Sequence, residues 1–177
     1  MTFKHITLAM DLSLSQPGFA VLAITEGKPV VLETSVRKTD TKRTHGERLE
    51  EIHSDVEGYL WGYKPTHIVR EKGFSRFPAV TQTLFKVVGV SDMAIAHYSG
   101  CFDKGPKEAH EIAVTSVKKL VTGNGKASKE DVAEAVFRRL QIENTDEYYT
   151  KSGKLIDDKT DALAVGLAYY IEKGLIE

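Results

Sequence analysis

The chain begins with three short apolar segments separated by tight turns, and this arrangement constrains the fold more than any other feature. HITLAMDL, FAVLAIT and VVLETSV, at residues 5–12, 19–25 and 30–36, have the length and apolar character of buried strands. The turn-forming sequences SLSQPG and EGKP join them. Since connections this short can only join antiparallel neighbours, we expect the sheet to start as a three-stranded meander.

The pattern changes after this meander to an alternation of strands and helices. Apolar residues recur at helical spacing over residues 44–63 and 79–98, and the short strand THIVRE separates these helices. A fifth strand is predicted at EIAV, residues 111–114, followed by helices at 115–121, at 129–140 and from Asp158 to the end of the chain. The elements together predict a mixed α/β sheet covered by helices.

Length and composition restrict the class of protein. With 177 residues, 41% of them hydrophobic, the chain suffices for one core and is short for two, so we expect a single domain over residues 1–177. The single cysteine, Cys101, excludes an internal disulfide and a cysteine-based zinc cluster. We find no signal pattern and no apolar run approaching membrane-spanning length, so we expect a cytoplasmic protein without membrane contact. The six histidines show no metal-ligand spacing and are assigned to no site.

Acidic residues stand where the predicted strands end and where the last helix begins. Asp11 closes the first strand, Glu71 closes the fourth, and Asp157, Asp158 and Asp161 crowd the start of DDKTDALAVG. Aspartates are also favourable as simple caps at a helix N-terminus. Because sites in α/β sheets form at the carboxyl ends of strands, however, carboxylates from three elements are predicted at one edge, where they would bind a hard cation such as Mg²⁺.

The charge distribution favours an anionic partner although the formal net charge is only −1. Between Lys118 and Arg139 there are six basic and three acidic residues, whereas from Gln141 onward there are eight acidic residues and four lysines. An acidic site beside a basic strip is what a metal-dependent nuclease requires, although many ordinary surfaces share this pattern.

Four motifs in sequence order resemble the RuvC family of Holliday junction resolvases. They are LAMDLSLSQPGFAVL, HIVREKGF, VTSVKKLVTGNGKASKEDV and DDKTDALAVG, and the resemblance extends from about residue 5 to about residue 172. The third motif followed by DxxDALA is the most specific part, since the wider ribonuclease H-like superfamily lacks it. The loop SLSQPG is longer and less glycine-rich than in the bacterial housekeeping enzymes, which suggests a divergent branch such as a phage-encoded enzyme acting in the host cytoplasm.

The resemblance implies both a fold and an activity. The fold is ribonuclease H-like: an α/β mixed five-stranded sheet, with three antiparallel strands and then parallel strands, flanked by helices. The activity is that of a homodimeric endonuclease that resolves four-way (Holliday) junctions in branched DNA by paired, metal-dependent phosphodiester hydrolysis. Two Mg²⁺ ions per active site are implied, and Mn²⁺ is expected to substitute for them.

The resemblance also implies roles for individual residues. The family's metal-binding carboxylates correspond to Asp11, Glu71, Asp158 and Asp161. Asp158 is preferred over Asp157 because DxxDALA has the family's spacing, although a contribution from Asp157 stays open. The family's catalytic lysine corresponds to Lys118, its second functional lysine to Lys129, and an aromatic residue near the branch point to Phe74.

Basic and aromatic residues near these motifs are predicted to contact DNA. Phe74 and Phe77, interleaved with Lys72 and Arg76, are interpreted as a loop that stacks on an unpaired base, or as two aromatics tucked under a loop. The TGNGKAS turn offers backbone N–H groups and Lys126 to a phosphate. The predicted DNA-binding set is Lys72, Phe74, Arg76, Lys119, Lys126 and Lys129.

The apolar helix at residues 79–98 has more apolar side chains than one sheet contact requires. We nominate it for a dimer interface, although a doubly buried helix has the same pattern. The nominated residues are Val80, Leu84, Val87, Val88 and Val90. Trp61, with Tyr59 and Tyr63 beside it, is interpreted as core or interface. Tyr148 and Tyr149 lie in a polar stretch and receive no role.

Three other functions fit parts of this pattern. A ribonuclease H-like nuclease acting on RNA precursors, or on flap and branched DNA generally, would need the same carboxylates. Sugar kinases and actin-like ATPases share the fold, but they need two copies of it, and 177 residues hold only one. A junction-binding protein without catalysis is disfavoured because the acidic residues are retained.

Overall fold

Five strands form one mixed sheet in the computed structural model, which describes residues 2–73, 77–101 and 105–176. In chain order the strands are β1 Lys4–Asp11, β2 Gly18–Thr25, β3 Lys28–Val36, β4 His67–Lys72 and β5 His110–Ala113. Their order across the sheet is β3–β2–β1–β4–β5. β1 to β3 pair antiparallel, whereas β4 and β5 add in parallel on the other side of β1. The predicted meander and the predicted ribonuclease H-like sheet are therefore confirmed.

Helices cover both faces of this sheet. Within the described ranges they are α1 His45–Tyr63, α2 Pro78–Ser99, α3 Val114–Thr122, α4 Lys129–Leu140 and α5 Asp157–Glu172. The strands and helices correspond to the predicted ones, with shifted ends. The last helix stops at Glu172 instead of continuing to the end of the chain, and a 3-10 turn at Asp146–Tyr148 was not predicted.

Local capping interactions determine where two of the helices begin. Thr44 accepts a hydrogen bond from the Glu47 backbone N–H, and the Glu47 carboxylate accepts one from the Thr44 backbone N–H. Ser128 and Asp131 form the same reciprocal pair at the start of α4. Such a capping box stabilises a helix end because it satisfies N–H groups that have no partner within the helix. Lys129 therefore becomes the first residue of α4.

The sheet separates two hydrophobic cores. Leu8 and Met10 of β1 pack with α1 and α2, whereas Ala9 between them packs with α3, α4 and α5, as the alternation of side chains along a strand requires. α5 is buried along most of its length, and a Cβ at Gly166 would lie 2.5 Å from the Leu22 side chain. This close approach sets α5 directly on the sheet, with its first turn at the carboxyl end of β1.

The structure gives new information on two aromatic residues. Trp61 is 46% exposed and packs its ring edge-on against Tyr98, so the core alternative is wrong and the interface alternative stays a prediction. Tyr148, which received no role, is 1% exposed and contacts the ring of Phe137 at 5.0 Å between centroids. Its neighbours in sequence are polar, so only the packing of distant residues reveals its place in the core.

The nominated interface residues of α2 fall into two groups. Val87 is fully buried against α1 and the sheet, so its assignment to an interface is wrong. Val80 is 54% exposed, and Leu84, Val88 and Val90 are partly buried. Phe77, Phe85 and Met93 add to the exposed apolar surface around α2. This helix therefore presents apolar side chains both to the core and to solvent.

α2 also corrects the expectation that no apolar run approaches membrane-spanning length. Among the described residues it is the one helix that is long and apolar enough to cross a membrane, judged by length and composition alone. That is weak evidence for a membrane span, since a helix that packs against a core passes the same test. In this chain Val87, Ala94 and Ile95 of α2 pack into the core.

Candidate active site

Two of the predicted carboxylates lie side by side at the carboxyl ends of parallel strands. Met10 of β1 pairs with Arg70 of β4, so the next residues along, Asp11 and Glu71, are neighbours. Ala9 and Val69, two positions before them, belong to the core beneath α5. Because side chains alternate along a strand, Asp11 and Glu71 also point to that face, the one covered by α3, α4 and α5.

Helical residues complete a cavity of about 250 Å³ around these two carboxylates. Asp161 comes from the second turn of α5, Lys118 from α3 and Lys129 from the start of α4. The apolar part of the wall consists of Val114, Val117, Val132 and Ala164. The structure therefore brings together three of the four predicted carboxylates and both predicted lysines.

The two remaining aspartates of α5 have different partners. Asp158 accepts a hydrogen bond of 2.7 Å from Gln16 Nε2, in the loop between β1 and β2, and it stands beside the cavity instead of lining it. Asp157 pairs with Lys129. The Lys129 ammonium also lies 3.4 Å from Asp161. The negative charge of Asp157 is thus balanced by Lys129, whereas the partner of Asp158 is the neutral amide of Gln16.

Gly18 determines how closely α5 approaches β1. It stands opposite Asp11 in the β1–β2 ladder, and a Cβ added to it would lie 2.0 Å from the Asp158 backbone oxygen. No side chain fits at that distance, so the glycine allows the first turn of α5 to rest against the start of β2. The relative position of Asp11 and Asp158 depends on this contact.

We expect Gly18→Ala to lower both the stability of the protein and its catalytic activity. The added methyl group must displace the first turn of α5, and such overpacking costs about 1–3 kcal/mol. Gly58→Ala is the matched control, because a Cβ at that helical position meets nothing within 4 Å and alanine favours the helix. Thermal unfolding and cleavage assays of both variants test this, and a fully active, stable Gly18→Ala protein would contradict it.

The acidic side chains of the cavity hold protons more strongly than free carboxylates do. Burial, and then the charges of Glu71, Asp161 and Asp158, raise the pKa of Asp11 well above its usual value. Burial and then the charge of Asp161 raise the pKa of Glu71 to about 7. Burial also raises the pKa of Asp161, although Lys129 opposes this. Closely spaced, buried oxygen ligands with uncompensated negative charge fit divalent cations of the Mg²⁺ type.

Lys129 neutralises part of this negative charge. Burial opposes its charged form, but the hydrogen bond with Asp157 and the charge of Asp161 raise the pKa of Lys129 above its usual value. Burial by itself would raise the pKa of Asp157. The hydrogen bond from Lys129 outweighs this effect and lowers the pKa of the carboxyl group. Lys129 therefore interacts directly with the acidic cluster.

Lys118 is held by the glycine-containing turn, and this turn is not the open anion site that was expected. The Lys118 ammonium donates a 2.5 Å hydrogen bond to the Ala127 carbonyl. The backbone N–H groups of residues 123, 124, 126, 127 and 128 all donate to acceptors within the protein. The prediction that the turn offers its N–H groups to a phosphate is therefore wrong for these five groups, whereas the contact predicted for the exposed Lys126 side chain stays a prediction.

The predicted DNA-binding residues are placed as follows. Lys72 ends β4 beside Glu71, Lys119 lies on α3 and Lys126 lies in the turn after it, all three exposed. Phe74 and Arg76 lie outside the described residues. Phe77, at the start of α2, is 58% exposed, so it is not tucked under a loop.

Two positioning residues were not recognised in the sequence. Gln16 and Gly18 lie in SLSQPG, which was interpreted as a turn between two strands and as a divergent loop, without a role for either residue. Their contacts are with Asp158, 142 residues away for Gln16, and no local pattern reports a contact at that separation. The available signal was the glycine directly before a buried strand, since such glycines often mark a close approach of another backbone.

One group of histidines also contradicts the sequence interpretation. His53, Glu57 and His97 lie close enough together to bind one metal ion, although the histidines were said to show no metal-ligand spacing. The spacing between His53 and Glu57 is four residues on one helix, which does place two ligands on the same face. This group lies between α1 and α2, on the side of the sheet away from the acidic cavity.

A mixed sheet of this order, with buried carboxylates converging from β1, β4 and α5, defines a nuclease of the ribonuclease H-like class. The sequence profile of the family described as crossover junction endodeoxyribonuclease RuvC matches residues 7–169. The chain belongs to the RuvC family. RuvC of Prochlorococcus marinus subsp. pastoris is 30% identical over 167 residues, which cover 94% of this chain and 97% of the relative. RuvC of a Synechococcus species is 28% identical over 166 residues, covering 94% and 98%.

Solved structures agree on the fold. Thermus thermophilus RuvC in complex with a Holliday junction substrate superposes with a TM-score of 0.79 at 23% identity, covering 96% of this chain and 94% of that one. The yeast mitochondrial Holliday junction resolvase Ydc2 gives a TM-score of 0.71 at 11% identity, covering 99% and 82%. At these identities the likeness supports the fold, whereas the family assignment stands on the sequence matches.

Proposed function

We propose that this chain is a crossover junction endodeoxyribonuclease that resolves four-way DNA junctions by metal-dependent phosphodiester hydrolysis. The observation that carries the proposal is the cavity in which Asp11, Glu71 and Asp161 meet two lysines, in a chain of the RuvC family. As a DNA-processing enzyme it is expected to act in the cytoplasm, as a single domain over residues 1–177.

Nucleases of this family depend on metal ions, and the acidic residues of the cavity are the proposed ligands. Asp11, Glu71 and Asp161 would hold two Mg²⁺ ions, for which Mn²⁺ substitutes, and Asp158 would complete the set from the margin of the cavity. Asp11 would be the central ligand of this set, because burial and then the charges of Glu71, Asp161 and Asp158 all raise the pKa of its carboxyl group. When bound, the ions activate a water molecule and neutralise the leaving oxygen.

The two lysines have distinct proposed roles. Lys118 is held in place by the Ala127 carbonyl, so its ammonium is positioned to offset the negative charge that develops on the phosphate during hydrolysis. Lys129 keeps Asp157 neutralised and lies beside Asp161, so it balances the charge of the cluster and reaches the DNA backbone nearby. The exposed Lys72, Lys119 and Lys126 would hold DNA phosphates around the cavity.

A substrate comparison tests the proposal. The purified protein with Mg²⁺ is incubated with a labelled four-way junction, a flap, a linear duplex and a matched structured RNA. We expect symmetric cuts in the junction and little cleavage of the other three. Preferential cleavage of the RNA or the flap would instead support the alternative, a ribonuclease H-like nuclease for RNA precursors or for branched DNA generally.

The proposed active unit is a dimer, because a junction requires cuts in two opposing strands and one cavity cuts one strand. Two cavities related by a two-fold axis meet this need, and two-fold dimers are the commonest soluble assembly. The exposed apolar residues of α2 and its start are the proposed interface, since exposed apolar side chains are favourably buried against a partner. They are Phe77, Val80, Phe85 and Met93.

Phe85→Glu should convert the dimer to a monomer. Phe85 is 60% exposed, so the substitution leaves the core intact but places a charge in the interface. Phe3→Glu is the matched control, because Phe3 is 43% exposed and belongs to the segment before β1, not to α2. Light scattering and cleavage of a cruciform plasmid are the measurements. We expect Phe85→Glu to accumulate nicked circles and Phe3→Glu to yield linear product, and a dimeric Phe85→Glu protein would refute the interface.

A further inference from the structure

A group of ligand-type side chains lies between α1 and α2, where the proposed nuclease reaction uses no residue. His53 and Glu57 are four residues apart on α1 and so share one face of that helix, and His97 belongs to the last turn of α2. One nitrogen or oxygen atom from each of the three lies within 4.8 Å of the other two. We propose that His53, Glu57 and His97 form a binding site for one transition-metal ion of the Zn²⁺ type.

The distances within this group match a site for an ion better than they match hydrogen bonds. The Glu57 carboxylate oxygens lie 3.7 Å from His53 Nδ1 and 3.8 Å from His97 Nδ1. Both separations are longer than a hydrogen bond between nitrogen and oxygen. Ligands placed tetrahedrally at the usual bond lengths around Zn²⁺ are about 3.4 Å apart, which is close to both separations between Glu57 and the histidines.

The group is accessible from solvent, and the ring of His53 is oriented with Nδ1 toward Glu57. The side chains of His53, Glu57 and His97 are 16%, 36% and 61% exposed, so an ion can enter from the His97 side. His53 Nε2 is buried and has no hydrogen-bond partner among the described residues. The Nδ1 atom, which faces Glu57, is then the nitrogen of His53 that interacts with polar atoms.

The choice of ion follows from the donor atoms. Two imidazole nitrogens and one carboxylate suit Zn²⁺ and similar ions, whereas Mg²⁺ prefers oxygen ligands. Three protein ligands leave a fourth position for water. The carboxylate cavity offers oxygen ligands and therefore prefers Mg²⁺. The two sites are thus expected to bind different metal ions. A bound ion would tie the last turn of α2 to the middle of α1 and so stabilise the helix pair.

The single tryptophan provides a local reporter for this site. Trp61 lies one helical turn after Glu57, and its ring is 5.3 Å from that of Tyr98, the residue after His97. Chelator-treated protein is first saturated with Mg²⁺ to occupy the acidic cavity. It is then titrated with Zn²⁺ while the melting temperature is followed, and with Co²⁺ while Trp61 fluorescence and the visible absorption of Co²⁺ are followed.

We expect one equivalent of Zn²⁺ to raise the melting temperature, and one equivalent of Co²⁺ to quench Trp61 and show nitrogen-ligated absorption. His97→Ala should weaken binding at least tenfold, since it removes one of three ligands. His97 is mostly exposed, so this variant keeps the fold, and its cleavage of a junction in Mg²⁺ should be unchanged. His45→Ala, at an exposed histidine that begins α1, is the control and should bind as the wild type does.

Two results would overturn the proposal. One is a Mg²⁺-saturated wild type that neither gains stability with Zn²⁺ nor loses Trp61 fluorescence with Co²⁺. The other is a His97→Ala protein that binds Zn²⁺ and Co²⁺ as tightly as the wild type, which would place the ion elsewhere. None of these measurements depends on cleavage. Failure of this proposal can therefore be distinguished from failure of the proposed nuclease function.

Discussion

Asp161→Asn should reduce cleavage of a four-way junction on the order of a thousandfold or more while junction binding is retained. Asp161 is the one acidic residue of α5 that lines the cavity with Asp11 and Glu71. Asparagine keeps the shape of the side chain but removes the negative charge that a divalent cation needs. Loss of a negative charge near bound DNA leaves the affinity equal or higher, because phosphates are repelled less.

Asp157→Asn is the matched control for this result, four residues away on the same helix. The Asp157 carboxylate is paired with Lys129 and does not line the cavity, so we expect cleavage within tenfold of the wild type. Asp158→Asn should be clearly more damaging than Asp157→Asn. Single-turnover cleavage and gel-shift binding at fixed salt measure both properties. An active Asp161→Asn protein in Mg²⁺ would refute the assignment of this cavity as the nuclease site.

Glu71→Gln should make the metal-free protein more stable, although the same change should stop cleavage. Burial and Asp161 raise the pKa of Glu71 to about 7, against a usual value of 4.5 in the unfolded chain. The folded state therefore binds this proton more tightly than the unfolded state does. The free energy of unfolding of the wild type falls as pH rises from about 4.5 to about 7, by about 3 kcal/mol from this group, and is constant above that range.

Glu71→Gln lacks this pH-dependent loss of stability. The difference in the free energy of unfolding between the variant and the wild type should therefore be largest above pH 7 and vanish near pH 4. For a chain of this size about 3 kcal/mol corresponds to roughly 6–12 °C in the melting temperature. Glu134→Gln, the same substitution at an exposed position on α4 outside the cavity, is the matched control. Adding Mg²⁺ should raise the melting temperature of the wild type more than that of Glu71→Gln. Equal pH profiles for wild type and variant, without metal, would contradict the prediction.

The order and type of the secondary structure follow from the amino-acid sequence alone. The strands of the meander are short apolar runs with turns of two to six residues between them, and the helices α1 and α4 carry their own capping boxes. These signals are local, because periodicity, capping and turn chemistry each depend on residues a few positions apart. The same locality limits the prediction of ends: α5 stops at Glu172 although the residues after it carry no strong stop signal before Gly174.

The sequence also indicated which acidic residues meet. Asp11 and Glu71 stand at the ends of strands that the topology makes parallel neighbours, so their meeting follows from the strand order alone. Asp161 meets these two residues if the last helix starts at the same edge of the sheet. The family resemblance pointed to the same residues and to the two lysines, and the structure gathers them around one cavity. Their catalytic roles stay predictions until the variants are measured.

The partners of these charged residues become known only from the packing of the folded chain. Lys129 pairs with Asp157 across 28 residues, Gln16 with Asp158 across 142, and the choice between neighbouring aspartates rests on these contacts. Trp61 faces solvent although tryptophan is strongly apolar, and His97 meets His53 and Glu57 only because α2 packs on α1. Such outcomes depend on which surfaces the folded chain brings together, and side-chain contacts between distant segments leave no periodic signal in either one. The sequence therefore determines the elements and the edge where the acids gather, whereas packing decides the partner of each charge.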